Sequence, residues 1–413
     1  MFLNGKMRDN TGMVKKKVLY FVPEFPRISE TFIEREVAKL IEWGNLDIQI
    51  LALTKASGNT SDAVLKRTVY TRLGIGELIN GLTYLFKKPN KVVSLFFKTQ
   101  KTNQRNLIQH LYFFVKALGY TKIIGGLNPN HIHVHFLSWP STLVMVASEI
   151  LTLPFSVSAH ARDVFLEGEL LAVKAQTCKF MSICNSYAYK KALEKITDED
   201  TRKKVKLIYH GINPDLFTKT DGETRHEGIN IFLGGTRLVE KKGLKYMIQA
   251  SYTLKNEGFT HTVDIVGPGP LYPELKKQIA ELGLEDTVLL HGEGKGTPFS
   301  EVLDYYKKAN LFVFPSIETA EGDVDGVPTV VIEAAMAKLP IIATNAGAIT
   351  DLIENDRTGV LIPQRDAKAI AEAVKALMQD TKKAATLAEN AYTKAVAMFN
   401  IETNIGQLEK LLI

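Results

Sequence analysis

Two cations behind a glycine-rich turn are the first residues here with an evident chemistry. Ile229–Leu233 reads as a strand, and Gly234-Gly235-Thr236-Arg237-Leu238-Val239-Glu240-Lys241-Lys242-Gly243 follows it before a helical pattern begins. Glycine at Gly235 lets the backbone come close to an anion, and the helix beyond presents N–H groups to it. Arg237 offers a planar fork and Lys242 a compact point charge. Together they suit a diphosphate whose charge grows as it leaves. Read from residue types alone, an exposed pair of surface cations fits as well.

A second cluster is Glu321-Gly322-Asp323-Val324-Asp325-Gly326-Val327-Pro328-Thr329, which leads to Glu333-Ala334-Ala335. Pro328 suits a first helical turn, and Gly326 allows close backbone approach beside Val327, so this helix start is a second candidate anion site. Asp325 and Glu333 stand eight positions apart and can accept hydrogen bonds from different hydroxyl-rich parts of one ligand. Asp323 and Asp325 also form a D-x-D, in which two carboxylates can hold a divalent ion on a diphosphate. An ion-paired Glu333 is the structural alternative.

Further up the chain, His131, His133 and His135 alternate along a strand and share one side of the sheet. Their spacing invites a metal, but no Asp, Glu or Cys is near them in sequence, and no metal site is expected. His160 follows another apolar run and reads either as an active-site histidine or as a satisfied core residue. Ser29, Glu30 and Thr31 follow the first strand, where Ser29 suits a helix N-cap. Cys178 and Cys184 are the only cysteines. They lack His partners at metal spacing and read as two buried thiols on one strand, in a reducing compartment.

These residues need elements to hold them. Short apolar runs alternate with helical patterns: Val18–Val22, Asp47–Leu53, His131–Phe136, Phe155–His160, Phe180–Asn185 and Val205–His210, then Asn230–Gly234, Thr262–Val266, Val288–His291, Leu311–Pro315, Ile341–Thr344 and Gly359–Ile362. Alternation of this kind predicts βαβ units and parallel sheets. The chain's 413 residues suit two or three domains. An α/β protein of two Rossmann-like, doubly wound domains follows, with ligands at the carboxyl ends of the strands. The expected division is a loose tail over 1–13, a domain over 14–212, a second over 213–385 and a C-terminal helix over 386–413 that can pack back on the first domain.

Composition narrows the partners. At 45% hydrophobic and 23% charged, with net charge +6, the chain is an ordinary globular one, and its charge does not point to nucleic acid. No run of about 18 apolar residues is present to span a bilayer, and the start does not read as a secretory signal. One stretch departs from the average. Residues 79–148 hold no Asp or Glu, yet they hold Lys87, Lys88, Lys91, Lys98, Lys101, Arg105, Lys116 and Lys122 among many aromatic and aliphatic residues. This reads as a face for an anionic membrane, with no acid to neutralise the cations. Amphipathic helices with solvated lysines are the alternative.

Several blocks together carry a resemblance. Arg237-x4-Lys242-Gly243, the acid-x7-Glu pair before Ala-Ala-Met-Ala, and Pro340-Ile-Ile-Ala-Thr-Asn-Ala-Gly347 resemble the family 4 retaining glycosyltransferases of GT-B fold. Phe25-Pro-Arg-Ile-Ser29-Glu30-Thr31-Phe32-Ile33 is similar to the bacterial exopolysaccharide and colanic-acid-type members. His131-x-His133-x-His135-Phe136, Ser158-Ala-His160-Ala-Arg-Asp163 and Tyr209-His210-Gly211-Ile212-Asn213-x3-Phe217 match further blocks. The resemblance implies two domains facing a cleft and a retaining, metal-independent transfer of a hexose from a UDP- or GDP-sugar to a growing, lipid-linked saccharide, and the basic stretch would hold the enzyme on the inner face of the membrane. No cofactor is implied beyond the donor. Arg237 and Lys242 would hold the diphosphate, Glu333 the ribose and Asp325 the sugar hydroxyls. His160 would lie near the transferred sugar, and Ser29, Glu30 and Thr31 beside the acceptor. The family commonly has Glu at positions 325 and 351, so Asp325 and Asp351 are each one methylene short. The alternatives are a metal-dependent transferase using Asp323 and Asp325, and a non-catalytic GT-B protein that binds saccharide or membrane.

Overall fold

The protein is described by a computed structural model covering residues 15–27, 30–100, 105–165, 170–217 and 228–413. Two compact units account for it: residues 1–211 with 403–413, and residues 212–402. The break after Gly211 lies one residue before the expected boundary between residues 212 and 213. Ser29 and Lys101 lie outside the described residues.

Seven parallel strands form the sheet of the first unit among the described residues: β1 (Lys17–Phe25), β2 (Asp47–Lys55), β3 (Thr68–Tyr70), β4 (His131–His135), β5 (Phe155–Ala159), β6 (Met181–Ile183) and β7 (Val205–Leu207). Their order is β3-β2-β1-β4-β5-β6-β7. β1, β4 and β5 are buried almost end to end, as strands covered on both faces must be. β3 went unread in the sequence because two half-buried residues and one exposed one at a sheet edge carry no period.

The second unit repeats the plan with β8 (Ile229–Gly234), β9 (His261–Val266), β10 (Val288–His291), β11 (Leu311–Phe314), β12 (Ile341–Thr344) and β13 (Val360–Ile362), in the order β10-β9-β8-β11-β12-β13. The chain winds outward in both directions from the β8–β11 pair, and such a reversal opens a crevice at the strands' carboxyl ends.

The expected helix over 386–413 is two helices, Thr381–Phe399 and Ile401–Leu412. Asn400 between them leaves the helical region (φ −66°, ψ 129°) to bridge Ile212. Within the first unit, Lys16 Nζ donates to Leu412 O at 2.6 Å and Lys179 Nζ to Leu411 O at 2.8 Å. These bonds satisfy carbonyls that a helix end leaves open.

The basic stretch folds into the helices Ile75–Lys87, Pro89–Gln100 and Leu107–Leu127. The expectation that no acid meets its cations is corrected here. Glu149, one residue beyond the acid-free run, lies 3.7 Å from Lys91 Nζ and 3.6 Å from Lys98 Nζ. Lys88 Nζ donates to Ile150 O at 2.6 Å. The apolar content is more exposed than an amphipathic pattern requires: Phe86 is 88% accessible, Ile108 80% and Ile75 77%. Among the described residues no helix is long and apolar enough to cross a membrane.

The histidine row on β4 makes the first unit sensitive to acid. His131 and His133 are fully buried, and their rings share the Ser156 hydroxyl, each at 2.7 Å. Burial holds His131 neutral down to about 3, helped by Lys16 and Lys179. Burial, with His135 and His131 next to it, keeps His133 well below the ordinary value. The unfolded chain takes up these protons below about 6.5 while the folded chain does not. Stability is therefore full above that pH and falls as pH drops, by about 2.7 kcal/mol per pH unit for two protons. Urea midpoints followed by circular dichroism should be markedly lower at pH 5 than at pH 7.5, and equal midpoints would contradict this.

Candidate active site

In the second unit the loops after β8, β11 and β12 converge at the carboxyl ends of the strands. After β8 the chain turns at Gly235 and forms a single 3-10 turn, Glu240–Lys242, closed by Gly243. Gly243 has φ 63°, and a Cβ there would sit 1.9 Å from Pro315 O, so only glycine lets this turn press on the end of β11. The N–H of Ile317 donates to Lys241 O at 2.8 Å, which fastens the two loops.

Lys241 and Lys242 are thereby delivered, both buried, to the D-x-D loop. Lys242 Nζ lies 2.8 Å from Asp325 Oδ2, while Lys241 Nζ lies 3.0 Å from Asp323 Oδ1 and 3.4 Å from Asp325 Oδ1. Gly347, after β12, backs this arrangement: at φ 60° its Cβ position is 2.0 Å from Asp325 O. Burial opposes charge on Asp325, but Lys242 and Lys241 outweigh it and hold the carboxyl below the ordinary aspartate value. For Lys242, burial is the larger effect and lowers its value despite Asp325, with Lys241 and Arg237 adding repulsion. Arg237 itself is exposed.

The helix Thr329–Met336 begins after Pro328, which stands at the N-cap rather than in the first turn. Gly326 and Val327 lead into it and are half-buried. Glu333 is buried on this helix and accepts from the Tyr306 hydroxyl at 3.0 Å. So Lys242 and Asp325 touch, Glu333 sits on the helix that follows their loop, and Arg237 stands at the surface of the turn. The sequence reading gave no role to Lys241 or Tyr306. For Lys241 the signal was available, since a Lys-Lys pair matches the two acids of Asp323-Val324-Asp325.

The remaining candidates belong to the first unit. Glu30 precedes the helix Thr31–Trp43 at its N-cap position, with no side-chain cap bond, and pairs with Arg27 at 3.0 Å. Thr31 opens the helix and is half-buried. One position on, the ring of Phe32 lies 4.7 Å from His160 and stacks on His210 at 4.2 Å. His160 follows β5, and its backbone N–H donates to Asp163 Oδ2 at 3.1 Å; that carboxylate also accepts from Leu137 N at 2.9 Å. Burial first, then His210, His135 and His133, keep the His160 ring neutral.

Its ring nitrogens have defined neighbours. His160 Nε2 lies 3.3 Å from His135 Nδ1, and His135 Nε2 lies 3.3 Å from Glu36 Oε1, which also accepts from Tyr20 Oη at 2.9 Å. A carboxylate only accepts, so His135 Nε2 carries a hydrogen toward Glu36, and with His135 Nδ1 accepting from His160 Nε2 the His160 Nδ1 lone pair faces outward. That lone pair is 3.9 Å from Cys184 Sγ. Glu36 and Cys184 were missed as partners because acids and thiols were sought near the histidines in sequence, whereas β1, β4, β5 and β6 are neighbours only in space. Cys178 and Cys184 do not share a strand. Cys178 follows the helix Leu171–Thr177, and burial pushes its thiol up to about 12. Cys184 follows β6 and is half-buried.

Known proteins can now be set beside this geometry. Residues 218–394 match the family of glycosyl transferases group 1. The chain is 33% identical over 210 residues to the amylovoran biosynthesis glycosyltransferase AmsK of Erwinia amylovora, a match that covers 51% of each chain. It is 26% identical over 423 residues to the putative colanic acid biosynthesis glycosyltransferase WcaL of Escherichia coli, covering 96% of this chain and 99% of the relative. Among solved structures, Anabaena Alr3699/HepE in complex with UDP and glucose superposes with TM-score 0.68 at 18% identity, over 96% of this chain and 99% of that one. Two parallel-sheet α/β domains in this order match the GT-B fold of those glycosyltransferase structures, and residues 218–394 carry the match to the group 1 glycosyl transferases.

Proposed function

We propose that this enzyme moves a hexose, with retention, from a UDP- or GDP-sugar to a growing saccharide in surface or exopolysaccharide synthesis, without a divalent ion on the diphosphate. The observation that carries the reading is the pairing of Lys242 and Lys241 with Asp325 and Asp323 at the β8–β11 reversal, beside Arg237. Both carboxylates of the D-x-D already have their counter-charges, which favours a lysine and arginine clamp over a bound metal ion. When a donor enters, Lys242 turns from Asp325 to the diphosphate, and Asp325 becomes the acceptor for sugar hydroxyls. The sugar–oxygen bond then breaks as the acceptor oxygen bonds from the same face, and the acceptor's proton passes to the departing phosphate. Glu333 holds the ribose, the neutral His160 borders the sugar, and Glu30 and Thr31 border the acceptor. The saccharide acceptor and the pathway are supported by the named activities of the amylovoran and colanic acid relatives, and a UDP donor by the HepE complex.

A thermal-shift panel of nucleotide-sugars tests the reading, because a bound donor raises the melting temperature by mass action. One UDP- or GDP-sugar should raise it by several degrees at millimolar concentration. No shift from any of them would contradict the proposal.

The same reading places the enzyme on the inner face of a membrane. Fewer cations than the sequence suggested remain to act there, with Lys87 and Lys122 exposed, but apolar side chains such as Phe86, Ile108, Ile75 and Tyr112 add insertion to attraction. Burying a phenylalanine or isoleucine is worth about 1.5–3 kcal/mol and each basic residue about 1 kcal/mol. The protein should co-sediment with anionic liposomes and be only partly released by high salt. Phe86→Ser with Ile108→Ser should lose most of the binding. A wild type that ignores anionic liposomes at low salt would leave the patch without this role.

A further inference from the structure

We propose that His160, Cys184 and His210 form a binding site for a thiophilic divalent cation such as Zn²⁺. The three residues follow β5, β6 and β7. The register aligns Ala159 with Ile183 and Ile183 with Leu207, so their carboxyl ends lie side by side. One ligand atom from each lies within 4.8 Å of the others, and His160 Nδ1 is 3.9 Å from Cys184 Sγ. A tetrahedral zinc ion holds such atoms about 3.3–3.6 Å apart, so the closest pair needs only a few tenths of an ångström. The site is accessible: all three residues are half-buried and line one pocket with Phe32 and Gly211.

An independent observation points the same way. The His160 Nε2–H is taken by His135, whose own Nε2–H is taken by Glu36 Oε1, and Tyr20 Oη donates to that same oxygen. Metal-bound histidines are commonly oriented by a hydrogen bond on the remaining ring nitrogen, often ending in a carboxylate. Here the chain fixes the ring so that the Nδ1 lone pair faces the thiol. Burial also keeps His160 and His210 in the neutral form that binds a metal.

Two nitrogens and a sulfur with no carboxylate select zinc-like cations over Mg²⁺ or Ca²⁺. On binding, the Cys184 thiol releases its proton to solvent, two protein nitrogens and a thiolate bond the ion, and a fourth position remains for water. A second grouping, Glu36 with His133 and His135, is buried, and its side chains already bond Tyr20, Ser156 and Ser158, so its ligand atoms are committed to one another and to these hydroxyls. The proposed site lies wholly in the first unit and has no part in the diphosphate clamp.

Chelator-stripped protein, kept reduced with a phosphine, is titrated with Co²⁺ and the thiolate-to-cobalt charge-transfer band is followed. One equivalent should develop the band, and Zn²⁺ should bleach it. Cys184→Ser, folded by circular dichroism, should show no band, while Cys178→Ser should keep it. Glu36→Gln should keep the band and weaken Zn²⁺ binding by about 10–100-fold. No band in the wild type at excess Co²⁺, or a band undiminished in Cys184→Ser, would overturn the site, and neither readout depends on transferase activity.

Discussion

Arg237→Ala should lower turnover by about 100-fold or more while leaving the melting temperature within a degree of wild type. A donor that meets charge as it develops in the transition state contributes about 2.7–4 kcal/mol to the barrier. Arg237 is exposed and belongs to the turn rather than to the buried ion pairs, so its loss separates catalysis from folding. Lys242→Ala should match it in turnover but not in stability, because it strips a buried partner from Asp325. Steady-state kinetics beside a melting curve checks both. Near-wild-type turnover in the two variants would remove the clamp.

Asp325→Ala should carry the largest stability cost of any single change at the site. Its carboxylate is the partner of Lys242 and the farther of two partners for Lys241, and both lysines are buried. Breaking a buried pair by removing one member costs about 3–5 kcal/mol, since the other charge is left uncompensated. For a unit of this size that is roughly 6–20 °C of melting temperature. Sugar transfer should be lost as well, but nucleoside diphosphate binding should survive or tighten, because Lys242 no longer has an internal anion. Asp325→Asn keeps hydrogen-bonding capacity and should fall between. If diphosphate binding collapses in a folded Asp325→Asn protein, the residue serves the nucleotide or a metal and not the sugar.

Most of the architecture was legible because the central parallel strands of both sheets are covered on both faces, and their apolar runs stand out against charged helices. The three residues of β3, none of them buried, gave no such contrast, and nothing in the run 386–399 announces that Asn400 will leave the helix for a bridge to Ile212. At the candidate site, Arg237, Lys242, Asp325 and Glu333 were singled out by type and spacing, and the structure brings Lys242 and Asp325 into contact. What could not be read was who pairs with whom. Lys242 and Asp325 are 83 residues apart, and His135 and Glu36 are 99 apart. Sequence spacing bears on neither distance. The same blindness affected the basic stretch, where Glu149 lies one residue past the counted window and neutralises two of its lysines.

The most direct test of the account is a calorimetric titration of the purified enzyme with the nucleotide-sugar chosen by the melting panel, in excess EDTA. The account predicts one binding site per chain in the absence of any divalent ion, and a loss of at least tenfold in affinity in Arg237→Ala. Binding that appears only when Mg²⁺ or Mn²⁺ is supplied, or that is indifferent to Arg237→Ala, would contradict it.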